Sequence, residues 1–316
     1  MTLSKIANLA SVSVSTASKA FSMSPEVNEE TREMIFDIAK KHGCFKKFFN
    51  ARYPKLVIAV ICPEFESLHY TSAIAQLQIV LEERGCEICV ASTKFSKKRA
   101  RELMDYYTKY ARVDGIILFD SASALSASVD LPVVCIGRAA DFAVRVSSDT
   151  MPAMEEAIDH FISKGVTDIG FIGEHLTTSK ERCFTEIMTD RLGSYNPDFV
   201  AIGDRFADGG YATAKKIIEG GKLPRAFICA YDYLAIGAIR CFTEYGYRIP
   251  EDIAIIGMDD IPEAEFMNPP LSSVNSNIKQ TCRIAADTLI NMLMGKPYEK
   301  HTLLRAKLNL RRSSEI

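Results

Sequence analysis

The chain has 316 residues, 47% of them apolar and 25% charged, with a net charge of −2. That is enough length for two or three domains with cores of their own, and the balance is that of an ordinary globular protein. It excludes a disordered chain, an overall polycation and, because no apolar run reaches bilayer length and no charged-then-apolar leader opens the chain, it argues against export and membrane insertion; a cytoplasmic protein is expected.

Residues 2 to 22 read as two short apolar-periodic helices broken at Ser11-Val12-Ser13. Ile6, Leu9 and Ala10 form one stripe, Ala17, Ala20 and Phe21 the other, and Val12 sits in the turn as a small plug. This is the outline of a helix-turn-helix that enters DNA. Ser13 suits an N-cap, and Ser15, Thr16, Ser18 and Lys19 give the second helix a hydroxyl-rich face ending in a cation. A third helix is predicted over Val27 to His42, entered through Pro25 and Asn28 with Glu29, Glu30 and Glu33 in its first turns.

Charge supports this division. Residues 1–55 hold nine Lys and Arg against five Asp and Glu, +4, which leaves −6 for the remainder of a chain whose net is −2. A cationic head on an acidic body is expected where only the head meets a polyanion. From Lys46 to Lys55 a basic, aromatic stretch closed by Pro54 reads as a linker.

Beyond it, strand-like runs recur at 56–62, 88–91, 115–119, 133–136, 169–172, 199–202, 226–230 and 253–257. Helical patterns lie between most of them, at 72–84, 99–110, 151–164, 210–219, 234–245 and 279–294. Repeated alternation of this kind means parallel sheets with right-handed crossovers. About 260 such residues favour two Rossmann-like subdomains, with ligands collecting at strand carboxyl ends in the cleft between them.

Chemistry-bearing motifs are few. Neither a glycine-rich dinucleotide loop, nor a phosphate loop, nor a nucleophile elbow occurs. The five histidines are too dispersed for metal-ligand spacing, and Cys86 and Cys89, three apart on a predicted strand, face opposite sides. No metal and no cofactor is expected, and the nine cysteines read as reduced thiols. Asp259 and Asp260 end a strand and in principle offer acid/base work, but neighbours at a strand end diverge and one of them is expected to cap a helix.

The run Leu3 to Ala20, followed by Val-Asn-Glu-Glu-Thr-Arg-Glu (27–33), resembles the headpiece of the LacI/GalR family of bacterial transcription regulators. The body is similar to that family throughout, in Val-Asp-Gly-Ile-Ile-Leu (113–118), Phe-Ile-Ser-Lys-Gly-Val-Thr-Asp-Ile-Gly-Phe-Ile-Gly (161–173), Tyr-Asp-Tyr-Leu-Ala-Ile-Gly (231–237) and Ile-Pro-Glu-Asp-Ile-Ala-Ile-Ile-Gly-Met-Asp-Asp (249–260). The resemblance implies an all-α helix-turn-helix headpiece (1–45), a hinge (46–56) and an α/β periplasmic-binding-protein-like body of two subdomains (57–316). It implies a DNA-binding regulator, most simply a repressor, that is a homodimer on a near-palindromic operator in double-stranded DNA, controlled by a sugar or sugar-like effector.

By family position, Val14, Ser15 and Lys19 read bases, and Thr2, Ser13, Thr16, Asn28 and Thr31 meet phosphates, with Ser18 on the same face. Lysine at position 19, where the family usually has arginine, lacks the bidentate fork. The hinge departs from the family pattern: either Tyr53 or a phenylalanine acts as the minor-groove wedge, or the segment gives phosphate contacts alone through Lys46, Lys47 and Arg52, or an aromatic plug packs head to body.

Effector contacts fall, by the same carry-over, on Arg182, Asp259, Phe65, Leu68, Arg205, Tyr231 and Ile278, with Arg138 placed at the same cleft. Taken without the resemblance, Arg182 is a surface ion pair with Glu181 or Glu186, Phe65 and Ile278 are hinge core, and Asp232 caps the helix beginning near Leu234. The dimer interface is implied on the helix at 72–84 and on the one holding Ile236. Two other classes share parts of this pattern: a sugar receptor, against which the basic head counts, and a carbohydrate-processing enzyme, which sugar turnover would expose.

Overall fold

The computed structural model describes residues 1–49, 55–111, 113–119, 131–138 and 142–316, which form two compact units, Met1–Leu56 and Val57–Ile316. The predicted Arg52 contact and the Tyr53 wedge lie outside the described residues.

The first unit holds α1 (Leu3–Leu9), α2 (Val14–Phe21), α3 (Glu29–Lys41) and α4 (Phe45–Phe48). Three helices start on a polar side chain that accepts a backbone N–H: Thr2 from Lys5, Ser13 from Thr16 at 2.9 Å, and Asn28 from Thr31 at 2.8 Å. Glu29 and Glu30 open α3 while Lys40 and Lys41 close it, the arrangement that complements the helix dipole. Ile6, Ala10, Ala20, Phe21, Val27, Ile35 and Ala39 make the core. Onto it folds α4, whose Phe45 and Phe48 lie 6.1 and 5.7 Å from Phe21 ring to ring, with Phe45 edge-on to Phe36 at 4.9 Å. These phenylalanines therefore plug the head's own core, a use not anticipated for that stretch.

The second unit is built on two six-stranded sheets. In chain order it runs β1 (Leu56–Cys62), α5 (Leu68–Glu82), β2 (Cys86–Ser92), α6 (Lys97–Asp105), β3 (Gly115–Phe119), β4 (Val133–Ile136), β5 (Arg145–Asp149), α7 (Met151–Ser163), β6 (Ile169–Glu174) and α8 (Thr178–Leu192). There follow β7 (Val200–Gly203), α9 (Phe206–Glu219), β8 (Ala226–Cys229), α10 (Asp232–Glu244), β9 (Ala254–Met258), α11 (Glu263–Phe266), β10 (Ser272–Asn275), α12 (Ile278–Leu293), β11 (His301–Arg305) and β12 (Lys307–Asn309). A π-helical turn, Tyr106–Ala111, extends α6.

The first sheet has the order β11-β5-β4-β3-β1-β2 and the second β12-β10-β9-β8-β6-β7. Ile58 lies opposite Gly115 in one and Ile169 opposite Ala226 in the other, both in parallel pairs, whereas β12 runs antiparallel to β10. Strands β1 and β3 are almost wholly buried and read as unbroken apolar runs, as strands covered on both faces do. Helices α9 and α10 pack closely enough that a Cβ on Gly237 would lie 1.9 Å from the Ala207 carbonyl oxygen and one on Gly210 would lie 2.2 Å from that of Leu234.

The chain passes between the two sheets at Asp149–Met151, Asn275–Ile278 and Arg305–Lys307. The passages are tied together: Asn277 Nδ2 donates to the Arg305 carbonyl at 2.7 Å, and the Ala306 N–H donates to that of Asp149 at 2.9 Å. Asn277 takes the left-handed conformation there, φ 55°, which asparagine tolerates better than most residues.

Candidate functional site

In the head, α2 turns Ala17, Ala20 and Phe21 inward and leaves Val14, Ser15 and Ser18 exposed. Ser13 and Thr16 hydroxyls meet at 2.8 Å beside them, and the Lys19 ammonium, half-buried, pairs with Glu26 from the loop before α3. Thr2 and Asn28 are exposed at the starts of α1 and α3, with Thr31 half-buried beside Asn28. The predicted DNA-facing side chains thus lie on the exposed face of α2 and at the N-termini of α1, α2 and α3, where backbone N–H groups favour anions.

In the body, a cavity of about 570 Å³ lies between the two sheets, and its lining includes residues at strand carboxyl ends: Phe119 ending β3, Arg138 after β4, Glu174 ending β6, Arg205 after β7, Tyr231 after β8, Asp259 after β9. Arg205, Tyr231, Asp259, Ile278 and Arg138 line it as expected from the sequence.

Arg182 does not. It lies on the outward face of α8, opposite Phe184, Ile187 and Met188, with its side chain 74% exposed and 3.7 Å from Glu186. The helical phase of α8 turns Lys180 toward the cavity instead. Phe65 is also turned out, 48% exposed, while Glu64 one residue earlier points in. Leu68 packs against the core of the second sheet and lines a smaller cavity of about 470 Å³ at the passages between sheets, so it is hinge core. Asp232 caps no helix: it is the first residue of α10 and accepts from Ser273 Oγ at 2.6 Å and from the Ile261 N–H at 2.8 Å. Asp260 is likewise no cap, accepting from Asn275 and Asn309 side chains at 2.8 and 2.7 Å.

The centre of the cavity is ionic. Arg205 reaches across from the second sheet to donate two hydrogen bonds to Glu64 on the first, at 2.8 and 2.7 Å, and its Nε lies 3.8 Å from Glu174. Its guanidinium sits 5.1 Å from the Phe95 ring and 4.5 Å from that of Phe206, close enough for cation–π attraction. The bonds to Glu64 hold its pKa well above the usual arginine value. A second contact across the cleft joins His69 Nδ1 to Asp259 at 3.5 Å, and Lys180 lies 3.7 Å from the same carboxylate while donating to the Ala230 carbonyl.

Strain gathers here. Phe95, Phe206 and Asp259 all have positive φ (58°, 63° and 98°), costly for residues with a Cβ and typical of positions held for a purpose. Burial, then the carboxylates of Asp259 and Glu64, push the Tyr70 phenol up, keeping it a neutral donor. Burial pushes Asp232 up to about 8. Ser148 and Ser276 Oγ and His69 Nδ1, all on lining residues, are buried without a hydrogen-bond partner among the described residues.

Sequence reasoning missed Glu64, His69, Tyr70, Phe95, Glu174, Lys180 and Phe206. The signal for Glu64 and Glu174 was present, since each stands at the carboxyl end of a predicted apolar strand. Among the described residues no group of three or more His, Cys, Asp and Glu is arranged to hold a metal, and no helix is long and apolar enough to cross a membrane.

Residues 2–44 match the lacI family of bacterial regulatory proteins, and residues 158–314 match the periplasmic binding protein-like domain. The transcriptional regulator GalR of Streptococcus thermophilus is 30% identical over 343 residues, covering 99% of each chain. This chain belongs to the LacI family. A second relative, the HTH-type transcriptional repressor PurR of Actinobacillus pleuropneumoniae serotype 3, is 26% identical over 291 residues, 87% of this chain and 86% of that one. Among solved structures, the regulator CelR in complex with cellobiose superposes with a TM-score of 0.71 at 24% identity over 99% of both chains, which establishes the LacI-like fold. As a LacI-family member the protein is a DNA-binding transcriptional regulator with a ligand-binding domain, not an enzyme.

Proposed function

We propose that this LacI-family regulator is a cytoplasmic homodimeric repressor that reads a near-palindromic operator with α2 and releases or tightens on it when a sugar-like effector enters the cleft of the body. Val14, Ser15 and Lys19 read bases in the major groove, while Thr2, Ser13, Thr16, Ser18, Asn28 and Thr31 hold phosphates and register. One head makes too few contacts for useful affinity, so two are held at half-site spacing by paired bodies, through α5 and α10. Residues 46–56, the first of which fold onto the head, form the connection.

The observation that carries the effector reading is the lining of the 570 Å³ cavity, in which carboxylates of Glu174 and Asp259 stand beside the rings of Tyr70, Phe95 and Phe119. Carboxylates accept hydrogen bonds from hydroxyls, and ring faces pack on the C–H faces of a sugar; the volume falls within the roughly 300–1,000 Å³ usual for small-ligand sites. The cellobiose in the CelR relative supports the same class.

Two measurements on the full chain test it. Thermal shift against a sugar panel should find one that stabilises, by roughly 2.7 kcal/mol at a hundredfold excess over its dissociation constant. Gel shift on the protein's own upstream DNA should show affinity falling steeply with salt and changing with that sugar. No stabilising sugar overturns the effector reading, and no shifted band at low salt overturns the operator reading.

A further inference from the structure

The described residues lining the cleft contain three cations besides His69, and each already has an acid. Arg205 is gripped by Glu64 through both oxygens, Lys180 lies 3.7 Å from Asp259, and Arg138, at the rim, lies 3.3 Å from Asp149. Glu174, 2% exposed, adds a further carboxylate beside Arg205 with no cation of its own. Its Oε2 accepts only the Leu176 N–H at 2.8 Å among the described contacts. Glu64, Glu174 and Asp259 thus outnumber Arg205 and Lys180 in the interior of the cleft, and the planar fork that best recognises a phosphate or carboxylate is already occupied. An anionic ligand entering there meets a slightly negative field and must displace Glu64 from a bidentate pair, leaving that carboxylate, 7% exposed, without its partner.

We infer that Glu64 sets the charge class of the effector: by occupying the Arg205 guanidinium it admits an uncharged polyol and rejects the phosphorylated or carboxylated form of the same sugar. Arg205 is held for this by more than its ion pair. Phe95 and Phe206 flank the guanidinium from opposite subdomains, and both have a positive φ. The guanidinium plane is therefore fixed, and a change at position 64 alters what it recognises more than where it lies.

The inference rests on the cleft being the effector site, and the experiment separates the two. Full-length wild type and Glu64→Gln are titrated by calorimetry and thermal shift with neutral hexoses and disaccharides, with their 6-phosphates, and with inorganic phosphate. Wild type should bind a neutral sugar at least about tenfold more tightly than its phosphate ester and show no shift with inorganic phosphate. Glu64→Gln should gain on the order of tenfold in affinity for the phosphate ester, with a new stabilisation by inorganic phosphate, and adding Arg205→Gln should abolish that gain. A wild type that prefers the phosphate ester, or a folded Glu64→Gln protein that gains nothing for either phosphate probe, overturns the role given to Glu64. Should Glu64→Gln fail to fold, the wild-type preference between neutral and phosphorylated forms decides alone. If no sugar of either kind binds wild type, the effector reading falls, and the response of Glu64→Gln to inorganic phosphate still decides the charge inference.

Discussion

Glu64 and Arg205 meet across the cleft through two hydrogen bonds of 2.7 and 2.8 Å, one residue following the first strand of the first sheet and the other following β7 of the second. Replacing Arg205 by alanine leaves a nearly buried carboxylate unpaired. The arginine side chain is itself 29% exposed, so the loss should lie near or below the low end for a buried pair, about 2–3 kcal/mol, read by chemical denaturation of the body. Unchanged stability would show that the pair contributes nothing to closing the cleft.

Asp232 makes stability depend on pH in an unusual direction. Burial raises its carboxyl to about 8, while in the unfolded chain it titrates near its ordinary value of about 4. Between those values the folded state keeps a proton that the unfolded state has released. The stability it contributes is full below about pH 4 and is lost as pH rises through about 8, on the order of a few kcal/mol in all. Asp232→Asn should be less stable at low pH, where its amide cannot reproduce both hydrogen bonds, and should close that gap as pH rises. A gap that stays constant from pH 5 to pH 9 contradicts the assignment.

On the recognition helix, Lys19→Ala should weaken operator binding about tenfold and relax the preference at the base pair that Lys19 reads. Because Glu26 pairs with the Lys19 ammonium in the free head, Glu26→Gln should act in the opposite sense and strengthen binding. Undiminished discrimination by Lys19→Ala between the operator and a version changed at that base pair would show that Lys19 reads no base.

Phe45 belongs to the head's core through its contacts with Phe21, Phe36 and Phe49. Being only partly buried, its truncation to alanine should cost about 2–3 kcal/mol, somewhat less than a fully buried phenylalanine. Gel shift should fail at temperatures where the body still shows its sugar-induced thermal shift. Joint loss of both responses would mean that Phe45 does not act within the head alone.

A methyl group on Gly237 has nowhere to go. Its contacts would be the Ala207 carbonyl oxygen at 1.9 Å and the Tyr211 backbone nitrogen at 2.7 Å, so α9 and α10 must separate. Gly237→Ala should destabilise the body by at least about 2 kcal/mol despite the higher helix propensity of alanine, a value calorimetry will read directly.

Most of this architecture is legible in the order of residues. Strands β1, β3 and β4 are continuous apolar runs, with Pro63 ending β1 and Pro132 and Gly137 flanking β4, and their predicted limits coincide with those observed. Strands β5, β10, β11 and β12 escaped because they are short and mixed; β11 alternates exposed and half-buried residues at a sheet edge. Helix α8 was also unread, and that omission explains Arg182: family position put an arginine near the cleft, but only the helical phase shows that it faces solvent with Glu186. Glu64 and Phe65 show the same limit, since neighbouring residues in a loop exchange inside and outside with a small backbone rotation that no residue pattern records. The pairing of Glu64 with Arg205 spans 141 positions and depends on how the two sheets face each other, which local periodicity does not encode.

The three passages between the sheets also fix an order of assembly. The second sheet takes β6 to β10 from one continuous stretch, 169–275, but the first lacks α12 and β11 until residues 278–305 have been made. As the polypeptide leaves the ribosome, β3, β4 and β5 therefore wait for α12, which packs on all three. The first sheet is begun before the second and completed only after most of the second has been made, and its nascent form is the stage at which chaperone binding or aggregation would concentrate.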